Sequence, residues 1–336
     1  MFLSKRANGN YYIFYERNGK RTCISTKSKY KSEALKFLSN FEKELKERQK
    51  IKVIPISLRE FMFVFFRYSE TVHSPNTTET YKVTFKMLLN NLGDIPLTNL
   101  THQILDLYFQ ERIRSVSVYV AQRDLSNISS FFNYAIKQGY ALENPIRHFK
   151  RFKLPEKQPI FFTEIEFDLL VKAIEDEDLK DLAAFAVQTG LRQMELISLQ
   201  WDQINLVNRN LLLDNRNWLT KSKKIRNVPL SSTAIKILEK RILHKSYGPV
   251  FTFLGKRIDQ NFISHKFKKY IRALPINPKL NFHSLRHTFA SWLVQRGVSI
   301  YVVSRLLGHS DIKTTQIYAH LRSDDLLTAV EVLNLT

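Results

Sequence analysis

Four short stretches in the C-terminal half carry residue types that can act on a phosphate ester. The first is Thr189-Gly190-Leu191-Arg192-Gln193-Met194-Glu195-Leu196. Gly190 permits a tight turn before a helix. Arg192 then stands at the helix start, where its guanidinium and nearby amides can face a phosphate. Glu195, one turn on, can steer Arg192 by a hydrogen bond. On its own this stretch reads as an ordinary surface Arg–Glu pair. The second is His283-Ser284-Leu285-Arg286-His287-Thr288-Phe289-Ala290. A helix puts His283 and Arg286 on one face, a ring donor beside a guanidinium fork. His283 and His287 also have the spacing of a zinc pair. No glutamate follows His283 and cysteine ligands are absent, so no metal is expected. His287 reads as a residue that caps or packs its helix. The third and fourth are Leu306-Leu307-Gly308-His309-Ser310-Asp311 and Thr314-Thr315-Gln316-Ile317-Tyr318-Ala319-His320. Gly308 ends one helix and Ser310 can start the next. A lone tyrosine is ordinarily half-buried structure. The ordered set of Arg, His-x-x-Arg, Gly-His and Tyr singles out Tyr318 as a nucleophile.

This set resembles the tyrosine recombinase (phage integrase) family. The three stretches 189–196, 283–290 and 306–318 are similar to that family's core boxes, in its order and spacing, and the likeness covers residues 160–320. It extends more weakly over 57–140, similar to the family's helical core-binding domain. The N-terminal module is similar to the arm-type DNA-binding domain of phage and mobile-element integrases. The resemblance also points to a lysine in Lys221-Ser222-Lys223-Lys224-Ile225-Arg226-Asn227-Val228-Pro229-Leu230. It places Lys221 at the catalytic position. The turn lacks the family's usual glycine, so Lys223 and Lys224 are rivals, or DNA-backbone contacts.

The chemistry can be rebuilt from the side chains. Arg192 and Arg286 are permanently charged forks that neutralise a phosphodiester. His283 and His309 add donors as charge builds in the transition state, each worth roughly 3–4 kcal/mol. An unperturbed tyrosine has a pKa of about 10, so a histidine must take its proton or the arginines must favour phenolate. The resemblance implies His283 as that base, Lys221 as donor to the leaving 5′-oxygen, and a 3′-phosphotyrosine intermediate. It implies no cofactor, metal or ATP. It further implies a homotetramer in the synaptic complex, from a chain that is a monomer when free, with an accessory DNA-bending protein as a further partner.

The elements that must position these residues follow from pattern. The expected fold class is mainly α with small β elements, in several domains. Residues 1–50 read as a β-hairpin module and helix, with turns at Asn8-Gly9 and Asn18-Gly19 and a helix capped by Ser32. Residues 57–142 read as helices, with capping boxes at Ser57/Glu60 and Asn76/Glu79 and stops at Gly93 and Gly139. Residues 143–159 read as a basic linker and 160–322 as the catalytic domain. Within it, Leu211–Leu213, Trp218–Thr220 and Ile225–Val228 read as strands that Pro229 ends. Residues 323–336 read as an amphipathic tail helix, packed on its own domain or on a neighbouring protomer.

Composition agrees with a polyanionic partner. The 336 residues carry a formal charge of +21. The surplus is spread: 13 basic and 5 acidic side chains in 1–50, 13 and 8 in 51–154, 26 and 18 in 155–336. That predicts a long footprint on double-stranded DNA. Lys5, Arg6, Arg17, Lys20, Arg21, Lys150 and Arg151 are expected to contact it, mostly at phosphate. The single cysteine, Cys23, suits a reducing compartment. Apolar runs are too short to span a bilayer and no signal peptide is read, so a cytoplasmic, nucleoid-associated place is expected, away from membranes.

Three rivals remain at this level. One is an inactive DNA-binding relative. Another is a type IB topoisomerase, or an Xer-type resolvase within the same family. The third is a metal-dependent nuclease using Glu175, Asp176, Glu177, Asp178 and Asp181. Those carboxylates read better as the solvated start of a helix.

Overall fold

A computed structural model describes residues 1–17, 20–50, 53–155, 158–214, 225–243 and 247–321; residues 17, 20 and 46–50 are described by backbone alone. The chain divides into two compact units, Met1–Pro155 and Glu156–Thr336. Among the described residues no helix is long and apolar enough to cross a membrane.

The first unit opens with an antiparallel sheet of β1 (Phe2–Lys5), β2 (Tyr11–Arg17) and β3 (Lys20–Ser25), followed by α1 (Lys31–Lys50). Register pairs Arg17 with Lys20, a two-residue connection whose Asn18 and Gly19 lie outside the described residues. The Asn8-Gly9 turn is wider than expected. Lys5 pairs with Tyr11, so five residues connect β1 to β2, with Gly9 at φ +81°. The helix also begins at Lys31, its first bond running from Ala34 N–H to the Tyr30 carbonyl, so Ser32 lies inside the first turn rather than capping it.

Four helices complete this unit: α2 (Leu58–Val72), α3 (Pro75–Leu92), α4 (His102–Ser115) and α5 (Val118–Lys137). The Ser57/Glu60 capping box is present in both directions. The second cap is Ser74, not Asn76: its hydroxyl accepts from Thr77 N–H and Pro75 takes the first helical position, where its missing N–H costs nothing. Phe61, Phe65, Phe85, Phe109, Phe131 and Phe132 fill the core. Inside it, Asp124 accepts Nε and Nη2 of Arg112 at 3.1 and 3.0 Å and the Thr84 hydroxyl at 2.8 Å. The basic stretch after α5 is fastened to this unit through buried Ile146 and through Phe152 N–H, which donates to Gln122 Oε1 at 2.9 Å.

The second unit contains α6 (Glu164–Ala173), α7 (Glu177–Thr189), the short α8 (Gln193–Ile197), a sheet of β4 (Ile204–Asn205), β5 (Asn210–Leu213) and β6 (Arg226–Pro229), and α9 (Ser232–Ile242). A two-stranded ribbon, β7 (Thr252–Phe253) and β8 (Lys256–Arg257), precedes α10 (Gln260–Ala273), α11 (Phe282–Gln295), α12 (Ile300–Leu307) and α13 (Lys313–Gln316). β5 and β6 pair from Asn210↔Pro229 to Leu213↔Arg226. The expected strand Trp218–Thr220 and the tail 323–336 lie outside the described residues. Leu182, Phe185, Leu196, Leu211, Phe251, Phe267 and Leu285 form the main core.

Four of the five carboxylates of the acidic run are ion-paired. Asp176 caps α7 and meets Lys266, Glu177 meets Lys180 and Lys240, and Asp178 and Asp181 meet Arg241. Among the described residues no group of three or more His, Cys, Asp or Glu is placed to hold a metal ion.

Candidate active site

Three separated stretches converge in the second unit. α7 ends at Gly190, whose φ of +62° is the left-handed conformation that lets the chain turn directly into α8. A Cβ here would also run into the Phe289 ring. The freed Gly190 carbonyl accepts Arg286 Nη1 at 2.6 Å, and Arg286 Nη2 donates to the Leu307 carbonyl at 2.8 Å. Arg286 is only 4 % exposed. It therefore braces the end of α7 against the end of α12. Burial, with Arg192 next, lowers its guanidinium to about 9, so it stays cationic at neutral pH.

Arg192 stands at the N-cap of α8. Its backbone N–H donates to Glu195 Oε2 at 2.9 Å and its Nη1 to Oε1 at 2.8 Å. Its Nη2 also approaches the Gly308 carbonyl at 3.4 Å. The expected steering by Glu195 is present. Sequence reasoning missed the second cation on that carboxylate: Arg226 of β6 donates Nη1 to Oε1 at 3.1 Å and Nη2 to Oε2 at 2.8 Å. Burial alone would raise the Glu195 carboxyl; the Arg226 hydrogen bonds and charge, then Arg192, outweigh it and hold it below its ordinary value. The Arg in Lys-x-x-Lys-x-Arg-x-Val-Pro-Leu was the available signal, but only the fold brings it to Glu195.

His283 lies in the first turn of α11, its N–H held by Asn281 Oδ1 at 2.9 Å. The residue is exposed overall, yet burial of the ring, with the Arg286 and Arg192 charges, lowers its pKa. Gly308 closes α12 in the left-handed conformation, and a Cβ there would meet the Arg226 guanidinium at 2.7 Å. His309 follows, with Nδ1 at 2.8 Å from the Thr315 hydroxyl. Burial, then Arg286, Arg192 and Arg226, hold it at about 4. His283, Arg286 and His309 thus all feel the Arg192 charge.

Tyr318 follows α13 and is 2 % exposed, packed with Ala290, Val294, Val303 and Leu307. Burial pushes its phenol up to about 12 despite the opposing Arg286 charge. The two arginines therefore do not by themselves make a phenolate in the DNA-free chain. The ring bonded to its hydroxyl is His287, with Nδ1 at 2.6 Å, not His283. His287 was expected only to cap or pack its helix; the structure places it on the candidate nucleophile. Lys221, Lys223 and Lys224 lie outside the described residues.

The Phage integrase family matches residues 161–324, and its N-terminal SAM-like domain matches 65–139. A tyrosine recombinase of Thermosipho africanus is 30 % identical over 274 residues, 78 % of this chain and 94 % of that protein. The chain belongs to the tyrosine recombinase family. Members of this family are DNA strand-transfer enzymes, and this chain is one. The tyrosine recombinase XerD of Pasteurella multocida is also 30 % identical, over 75 % of this recombinase and 90 % of XerD. Among solved structures, a lambda integrase dimer bound to a COC′ core site matches with TM-score 0.69 and 19 % identity, over 96 % of this chain and 95 % of that one. The Tn1549 transposon integrase in complex with transposon right end DNA matches at TM-score 0.69 and 18 % identity, over 83 % of this chain and all of that one. These likenesses establish the same mainly helical fold.

Proposed function

We propose that this recombinase cuts and rejoins double-stranded DNA through a 3′-phosphotyrosine bond on Tyr318. The observation that carries the reading is the braced pair Arg192 and Arg286, with His283, His309 and Tyr318 gathered around it from three chain stretches. Arg192 and Arg286 neutralise the scissile phosphate, and His283 and His309 donate to its oxygens as charge accumulates. The Tyr318 oxygen attacks phosphorus and the 5′-oxygen departs, protonated by Lys221, with Lys223 and Lys224 as rivals on the same hairpin. A second DNA 5′-hydroxyl reverses the step. The scheme needs neither metal nor ATP.

The enzyme is further assigned as an integrase of a mobile element. The support is the β1–β3 and α1 module ahead of the helical domain, together with the lambda integrase match over 96 % of this chain. On this reading 1–50 is an arm-binding module, 57–142 a core-binding domain and 160–322 the catalytic domain. Lys5, Arg17, Lys20 and Arg21 of the sheet, Arg6 just after β1, and Lys150 and Arg151 beyond α5 contact DNA, and four protomers assemble on two duplexes. A bending protein assists, and the work is done at the nucleoid. The names of curated relatives favour the Xer-type resolvase as the second reading.

The test is capture of covalent adducts. The full chain is incubated in EDTA with singly nicked fragments of its source genome, denatured, and the attached DNA sequenced. An adduct lost in Tyr318→Phe is expected. No adduct, an adduct surviving that change, or a requirement for magnesium overturns the mechanism. Captured sites flanking the recombinase's own gene support the integrase; one unlinked chromosomal site supports the resolvase.

A further inference from the structure

The Tyr318 hydroxyl is engaged before any DNA is present. Its partner is His287 Nδ1, on the turn of α11 that also carries His283 and Arg286. The His283 and His287 rings meet edge to face at 4.9 Å between centroids, so the two histidines occupy different positions relative to the phenol. We propose that His287 accepts the Tyr318 proton during attack, leaving His283 to donate to a non-bridging phosphate oxygen.

This inference rests on Tyr318 being the nucleophile. Three observations support it. The 2.6 Å contact is within direct proton-transfer reach, which needs a heavy-atom separation of about 2.6–3.2 Å. Burial, then the His283 and Arg286 charges, hold His287 at about 4, so its ring is neutral and its lone pair available at neutral pH. The phenol, held at about 12, does not ionise there without an acceptor. The charged and titratable groups facing His287 are His283 and Arg286 on its own helix, Tyr318, and His309 from the turn after α12. None of them is an anion at neutral pH. An arriving phosphate adds the negative charge they lack and raises the basicity of His287 where it is needed.

The step balances without a further reactant. A Tyr318 Oη–phosphorus bond forms and the phosphorus–O5′ bond breaks. The phenolic proton moves to Nδ1 of a ring already protonated on Nε2, giving imidazolium. The leaving O5′ takes its proton from the lysine donor proposed above, Lys221 or its rivals Lys223 and Lys224. In rejoining, the imidazolium returns its proton to the departing tyrosine.

The test uses the full chain and a duplex recovered as an adduct, in single-turnover cleavage. His287→Asn sets an amide where Nδ1 stands; it keeps a hydrogen bond to the phenol but takes no proton. Its cleavage is expected to fall about 10²–10⁴-fold at neutral pH with DNA affinity unchanged. Its rate should then climb roughly tenfold per pH unit above neutrality, because hydroxide replaces the missing base below the phenol's pKa. The native chain should be flat there, and His283→Asn slow but parallel to native. A 5′-bridging phosphorothiolate, which leaves without protonation, should not restore His287→Asn. His287→Gln, tested with a thermal melt beside it, supplies a second folded variant with the same expected slope. A near-native rate, a profile parallel to native, or rescue by the phosphorothiolate overturns the proposal. If Tyr318→Phe still forms adduct, the nucleophile reading fails instead; if only that variant is dead and both His287 variants behave as native, this inference alone fails.

Discussion

Arg226 and Glu195 tie strand β6 to Arg192 of the candidate phosphate site. One carboxylate, 2 % exposed, holds Arg192 and Arg226 together, and Arg226 begins β6. Removing Arg226 leaves Glu195 with only the partly exposed Arg192, so the loss is bounded by the roughly 3–5 kcal/mol of breaking a buried pair outright. Arg226→Met should therefore lower the melting temperature of the second unit and slow adduct formation more than it weakens DNA binding. Arg226→Lys keeps the charge but loses the fork, and should recover much of the stability while remaining slow. Melts, adduct rates and gel shifts on both variants check this; equal losses of binding and cleavage would show that Arg226 acts on DNA directly.

At the scale of elements, α11 does most of the positioning. Its i, i+3, i+4 spacing puts His283, Arg286 and His287 on one face, as any helix would. That His287 reaches a tyrosine beyond α13 depends on how α12 and α13 fold back, which no local pattern states. Three depressed histidines on these elements make an acid-sensitivity prediction. Each folded pKa lies below the unfolded value of about 6.5. The stability they permit is thus fully present above that value and lost as pH falls towards about 4, where His287 and His309 titrate in the fold. Allowing for partial exposure, the second unit's melting temperature should drop by roughly 5–10 °C over that window. Calorimetry checks it, and His287→Asn should flatten part of the drop. In the helical unit, Asp124 has no exposed side-chain surface and accepts from Arg112 and Thr84. Asp124→Ala should destabilise this unit by about 3–5 kcal/mol, read by chemical denaturation, with the second unit's own transition unmoved.

Over the whole molecule the charge of +21 is distributed rather than local. A footprint of about 6–10 phosphates loses roughly 10³–10⁵ in affinity between 50 and 200 mM salt. Titrations of the full chain should show a slope in that range. Deleting residues 1–50 should flatten the slope while the core-site adduct still forms. An unchanged slope would place that module off the DNA. On that module Arg6 lies 4.6 Å over the Tyr12 ring and Arg21 5.2 Å over Phe2, which holds both cations against the sheet.

The members of the candidate site were legible before any coordinates from their order along the chain, and Gly190 and Gly308 each mark a turn that local sterics require. The Ser57 cap and the strands at 211–213 and 226–228 were legible from local pattern as well. The errors were local too. Ser74-Pro75 competed with Asn76 for one helix start, and the proline decided it. What only tertiary structure decided are contacts between residues far apart in sequence. Arg226 reaches Glu195 across 31 positions, and His287 reaches Tyr318 across 31. Burial also moved the phenol up and the imidazoles down, since desolvation opposes charge of either sign. Residue types thus named the candidate reagents, while packing alone determined that His287 is the histidine facing Tyr318 and that burial keeps its ring neutral.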